Sequence, residues 1–192
     1  MADIDAYKDK FSESGQRVLE TALSESRKRD QNYVTVEHIM HAFAFEEDDL
    51  FSSTMRDLSV DPRSVKMLIE KRMEDGRQHS GKGFRIAPET TELFKRAMDR
   101  ARSQARRVID SSDIFYGLSN DERSVLNEVL QNLGVPSDEV ASTARTQIRS
   151  REKEEERTRQ KYELPSFLRH FGVSLNKLAR QDKIAPTIGR ES

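Results

Sequence analysis

The feature that most constrains this 192-residue chain is a return of its apolar positions after a shift of 75 residues. Sliding the second half onto the first without a gap places Phe11 on Ile86, Val18 on Leu93, Leu19 on Phe94, Ala22 on Ala97 and Leu23 on Met98. The match continues with Val34 on Ile109, Ile39 on Ile114, Phe43 on Leu118, Phe51 on Leu126 and Met55 on Leu130, and closes with Leu58-Ser59-Val60 on Leu133-Gly134-Val135. Identities are few, so the repeat lies in the register of apolar positions and in the breaks between elements, as in a duplicated supersecondary unit. Within each copy the spacing is helical: Val18, Leu19, Ala22 and Leu23 share one face, while Glu20, Ser24, Arg27 and Lys28 fall on others. Alternating Val/Ile/Thr runs that would mark strands are nearly absent. The expected fold is all-α, with two tandem pseudo-symmetric four-helix repeats forming one globular domain and a charged linker behind it.

Helix punctuation refines this reading. Ser12 offers an N-cap with Phe11 as a staple before it, Thr35 caps a second helix, and Asp61-Pro62 reads as a cap followed by the first helical residue. In the second copy Ser111 or Ser112 is the expected cap, with Asp113 supplying charge in the first turn. Helices are predicted over 12–29, 36–45, 49–58, 62–74, 88–106, 112–118, 122–133 and 137–150. The predicted core is Val18, Leu19, Leu23, Ile39, Phe43, Leu58, Leu68, Phe94, Ile114, Leu118, Leu126, Leu130 and Leu133. The expected organisation is a tail at 1–7, repeats at 8–75 and 85–149 joined by a glycine-containing loop at 76–84, a charged linker at 150–165, and a separate apolar segment at 166–192.

Composition excludes several functions. Lys and Arg number 33 against 34 Asp and Glu, so there is no bulk charge to draw in a polyanion. Arg27, Lys28 and Arg29, and Arg102, Arg106 and Arg107 in the second copy, sit at helix C-termini, where the dipole favours cations without a ligand; no aromatic residues interleave to stack bases. Nucleic acid is therefore not an expected partner. No run of 18 apolar residues exists for a membrane, and the absence of cysteine excludes disulfides and thiolate metal sites and is compatible with a reducing cytoplasm. His38 and His41, three apart beside Glu37, have a spacing that can bring two imidazoles near one metal ion; yet the Glu precedes both and no third ligand is evident. There is no Gly-x-Ser-x-Gly elbow, and Gly81-Lys82-Gly83 lacks the frame of a phosphate-binding loop. The chain is expected to be non-catalytic, with no cofactor and no metal of its own.

The tail carries a more specific pattern. Phe171-Gly172-Val173-Ser174-Leu175-Asn176-Lys177-Leu178-Ala179, followed by Lys183-Ile184-Ala185-Pro186-Thr187-Ile188-Gly189-Arg190-Glu191, resembles the leader into the first ATPase module of Clp-family AAA+ unfoldases. Tyr33-Val34-Thr35-Val36-Glu37-His38-Ile39 resembles the start of the second helix in that family's N-terminal domain, which is built of two four-helix repeats. The resemblance implies a docking module on a hexameric ring that collects unfolded or tagged protein substrates, or adaptor proteins. ATP and Mg would be bound by modules downstream, a ClpP-type peptidase would be engaged through the full-length protein, and the fragment alone would be a monomer. By position it implies contacts at Ser12 and Glu13, at Val36 and Glu37, and at Ser112, Asp113 and Ile114, in a groove where the repeats meet. Each of these is equally readable as a helix cap or first-turn charge. In ClpC-type members an acidic pocket at this motif binds phosphorylated arginine; the family's Glu falls on Glu37 in the first copy but on Ser112 in the second. The alternative is a free-standing accessory protein with the same repeats and no motor.

Overall fold

The computed structural model describes residues 9–45, 49–74 and 85–162; the expected tail 1–7, loop 76–84 and apolar segment 166–192 lie outside them, as do His79 and His170. Among the described residues the elements are α1 (Glu13–Lys28), β1 (Tyr33–Val34), α2 (Val36–Phe45), α3 (Asp49–Asp57), α4 (Pro62–Glu74), β2 (Arg85–Ile86), α5 (Pro88–Ser103), α6 (Ser111–Ser119), α7 (Val125–Asn132) and α8 (Ser137–Tyr162). The all-α expectation is met. The chain divides into two compact units, residues 1–151 and 152–192. Of the second, residues 152–162 are described and are helical.

In the first unit the helices form as their sequences require. The Ser12 hydroxyl accepts the Gly15 N–H to cap α1, whose stripe of Val18, Leu19 and Ala22 is buried. α2 and α6 are buried on nearly every side, and both lie at the centre of the fold. α1 and α4 pack on α2, and α5 and α7 pack on α6.

Features of the backbone recur at the interval seen in the sequence. Asp30 and Ala105, 75 apart, both have positive φ (53° and 56°), as do Ser59 and Gly134 (56° and 86°). Left-handed conformations are uncommon outside glycine, so matched pairs of them mark equivalent helix ends. Two short parallel pairings join the copies: Val34 with Ile86, and Phe11 with Ile109. Adding 75 to Phe11 and to Val34 gives Ile86 and Ile109, so one pairing is the pseudo-symmetry mate of the other. Their hydrogen bonds agree, with Ala87 N–H donating to Val34 C=O at 3.0 Å and Ser12 N–H donating to Ile109 C=O at 2.9 Å. Each copy thus lends its lead-in segment to the stretch before the other copy's central helix. Aromatic rings close the seam, with Phe11 edge-on to Phe94 at 5.0 Å and Phe43 tilted on Phe115 at 5.3 Å.

The structure corrects details. Leu133 is 38% exposed although its mate Leu58, which precedes the equivalent left-handed turn, is buried; in the second copy Leu130 and Val135 are buried on either side of the turn and Leu133 is not. Leu23 and Leu68 pack against the core from its margin. α5 stops at Ser103 rather than 106, since the left-handed Ala105 ends it, and α7 starts at Val125 rather than 122, capped by Ser124. α8 runs on to Tyr162 instead of ending near 150, through a charged stretch made of strong helix formers.

Candidate docking groove between the repeats

The central helices begin with the same device in different chemistry. At α6 the cap is Asp110, not Ser111 or Ser112, which are buried in the first turn. The Asp110 carboxylate accepts the Ser112 N–H at 3.0 Å, and Asp113 accepts the Asp110 N–H at 2.8 Å, a reciprocal capping box. At α2 the Thr35 N–H donates to His38 Nδ1 at 3.1 Å, and the Thr35 hydroxyl lies 2.8 Å from the same nitrogen. His38 occupies the position of Asp113 in the repeat. An amide can only donate, so Nδ1 carries the lone pair and the proton sits on Nε2. His38 Nδ1 is thus engaged at the start of its own helix, while His41 lies against Glu25 of α1. Burial, aided by the Arg29 charge and opposed by Glu25, pushes the His38 pKa down to about 4.

Beneath these helix starts lie buried charges of inverted arrangement. In the first copy Glu25 of α1 accepts from Arg29 Nε at 2.9 Å and stands 3.8 Å from His41 Nε2, whose ring stacks on Phe45 at 3.8 Å. Burial raises the Glu25 carboxyl, but the hydrogen bond from Arg29 and the neighbouring charges outweigh it and hold it below its ordinary range; burial likewise keeps His41 below its own. In the second copy the mate of Glu25 is Arg100, which donates to Asp113 at 2.5 Å, while Arg106 donates to both Asp113 oxygens at 2.6 Å. The acid sits on the outer helix in one copy and on the central helix in the other, and each buried ion has a partner, as burial demands. The copies are also tied directly. Asp110 accepts from the Ser14 hydroxyl at 2.7 Å and the Ser12 hydroxyl at 3.0 Å, and although burial opposes its ionisation, these bonds and the Ser112 amide leave its carboxyl below the usual range.

At the start of α2 the seam opens into a groove of about 530 Å³. One wall is Thr35, Val36 and Glu37; the other is Glu89, Glu92, Leu93 and Arg96 of α5, and the end is closed by Leu118, Asp121, Arg123, Ser124 and Val125. Leu93 and Leu118 are 1% exposed and form an apolar floor beneath a charged rim. On the rim Arg96 pairs with Asp121 at 2.8 Å and Glu92 with Lys95 at 2.5 Å.

Residues 10–133 match the family described as the Clp repeat (R) N-terminal domain. The chain belongs to that family. Among curated proteins it is 24% identical over 195 residues to the chloroplastic chaperone protein ClpC1 of Arabidopsis thaliana, covering 98% of this chain and 20% of the relative. It therefore spans about a fifth of the length of that relative. Among solved structures, the Hsp104 N-terminal domain from Candida albicans is similar at a TM-score of 0.61 and 10% identity, over 70% of this chain and 88% of that one. The N-terminal domain of the ClpV1 ATPase from Escherichia coli is similar at 0.59 and 20% identity, over 71% and 84%. These likenesses show the shared fold.

Within this Clp repeat domain, the residues singled out in the sequence separate into three groups. Val36 and Glu37 line the groove. Ser12 and Glu13 lie at the other helix start, Ser12 bonded to Asp110 and Glu13 exposed beside Arg17 at 3.4 Å. Ser112, Asp113 and Ile114 are 3%, 0% and 0% exposed, their side chains turned into the second copy. The sequence reading did not reach Glu89, Glu92, Arg96, Asp121 and Arg123, ordinary surface charges in their own helices and turns. Their convergence follows from the β1–β2 pairing, which sets the start of α5 beside Thr35.

Proposed function

We propose that this chain is the docking module of a Clp-type ATP-dependent unfoldase, receiving unfolded or tagged polypeptides, or the adaptors that deliver them, in the groove between its repeats. Catalysis is then left to ATPase modules elsewhere in the full-length protein, which would bind ATP and Mg, and a ClpP-type peptidase would be met through that protein. The observation that carries the reading is the groove itself: an apolar floor of Leu93 and Leu118 under a polar rim, with room of about 530 Å³. The match to the Arabidopsis chaperone over 98% of the chain, a span that extends into the tail, supports a docking module that precedes a motor over a free-standing accessory protein.

The test is anisotropy of a fluorescently labelled, permanently unfolded protein such as reduced carboxymethylated lactalbumin. Val36→Asp puts a charge on the groove wall at a helix start, where an acid does not harm the helix. Affinity should fall by about tenfold or more, the order of one anchoring apolar contact, with an unchanged circular dichroism spectrum. An affinity equal to the wild type would move docking to another surface.

A further inference from the structure

His38 is 1% exposed and the docking reading gives it no part, yet it sits in the first turn of the helix that forms one groove wall. Its Nδ1 is the acceptor for the Thr35 amide at 3.1 Å. First-turn amides have no partner within their own helix, so whatever accepts them sets how the chain enters it. In the second copy that acceptor is Asp113, which also satisfies Arg100 and Arg106 and whose helix start is tied down by Ser14. The residue after the cap there, Ser111, is 1% exposed, and the next, Ser112, 3%. The equivalent residues in the first copy, Val36 and Glu37, are half-buried and line the groove. The same device closes a buried helix start in one copy and an open one in the other.

We infer that His38 is a positioning residue for the groove: as the Nε2–H tautomer it holds the Thr35 amide and so fixes Val36 and Glu37 as the groove wall. The functional half of this rests on the docking reading; the hydrogen-bond half does not. A proton on Nδ1 removes the acceptor and places a cation at the positive end of the α2 dipole. The charged and titratable groups around the His38–His41 pair are Glu25 and Lys28 on α1, Arg29 at its C-cap, Glu70 on α4 and each histidine to the other. Burial and Arg29 resist the proton and Glu25 invites it, so the wall is held across neutral pH and released in acid.

Long-range ¹H–¹⁵N spectra of the chain at pH 7 should show His38 with a bare Nδ1 and a protonated Nε2; a protonated Nδ1 overturns the inference. Thr35 amide exchange should be about tenfold faster in His38→Ala, the size of a lost cap, and should return to the wild-type rate in His38→Asn, whose side-chain oxygen can accept the same amide. If His38→Ala does not fold, the tautomer and the His38→Asn exchange rate decide. Affinity for labelled carboxymethylated lactalbumin should drop about fivefold or more in His38→Ala, recover in His38→Asn, and in the wild type stay flat between pH 8 and 6. Wild-type affinity in His38→Ala despite fast Thr35 exchange would refute positioning while leaving docking intact. A wild-type chain that fails to bind the probe would refute docking and the groove role of His38 together.

Discussion

A histidine whose folded pKa is about 4, against 6.5 when exposed, ties the stability of this domain to pH. The direction follows from which state takes the proton. Above pH 6.5 the ring is neutral in both states and costs nothing; between 6.5 and 4 the unfolded chain gains a proton that the folded one refuses, so stability is lost as the pH falls through that window. The full difference amounts to about 3 kcal/mol. His41, also held down by burial, adds in the same direction. Urea denaturation at pH 7 and pH 4.5 should therefore show a larger loss in the wild type than in His38→Asn, which removes this titrating group; equal losses would mean that His38 is not buried neutral. At this scale the sequence set the metal reading aside but did not supply the role of His38. Glu37-His38-x-x-His41 looks like metal-ligand spacing, and nothing local says that the first imidazole faces back to its own helix start.

At the scale of elements, the left-handed residues that end α1, α3, α5 and α7 are a consequence of reversing the chain after each helix, and three of the four positions carry a side chain. Ala105 has φ 56° with only a methyl group, whereas Gly134, at the end of α7, has φ 86° and no steric cost. Ala105→Gly should thus stabilise the fold by about 0.5–1 kcal/mol, and Gly134→Ala should destabilise it by about 1 kcal/mol although no atom lies near enough to clash with the new methyl. Thermal melts of the two variants should move in opposite directions; a shift of both to lower temperature would leave backbone strain at Ala105 unsupported. The helices themselves were legible because each copy carries a 3.6-residue apolar period with a cap before it. What the sequence concealed were features decided by partners far along the chain: Asp110, rather than the serines after it, as the cap of α6, and two-residue pairings too short to leave an alternating pattern. Leu133 reads as core because it shares the apolar register of Leu58, but the two copies differ there: a left-handed residue follows each leucine, and only Leu58 is buried.

For the whole molecule, the decisive geometry is how closely the helices approach, between the copies at Gly15 and within the second copy at Gly117. A methyl added at Gly15 would lie 2.6 Å from the Ile109 carbonyl and 2.9 Å from the Phe11 ring, so it meets backbone from the other copy at the pairing that joins them. Its mate in the repeat is Thr90, whose hydroxyl donates to the Val34 carbonyl at 3.1 Å; one side of the seam is bridged by a side chain, the other by direct approach. A methyl at Gly117 would instead lie 2.8 Å from the end of the Leu93 side chain, which can rotate away, but Leu93 is floor of the groove. The family resemblance implied a groove between the repeats and reached Val36 and Glu37, but the rest of the lining, in residues 89–96 and 118–125, could not be read in advance because it joins residues 35–37 only when the copies close. The two substitutions should therefore separate fold from site. Gly15→Ala should cost about 1–3 kcal/mol, the range of overpacking against groups that cannot yield, in a single unfolding transition followed at 222 nm, because the rings of Phe11, Phe94, Phe43 and Phe115 make the seam part of one core. Gly117→Ala should cost less than about 1 kcal/mol and yet weaken binding of the unfolded probe, since Leu93 is pushed into the space the probe would fill. Equal stability losses in the two variants would mean that the Ile109 carbonyl yields as readily as a leucine side chain, and the seam would then not be the rigid frame on which the groove depends.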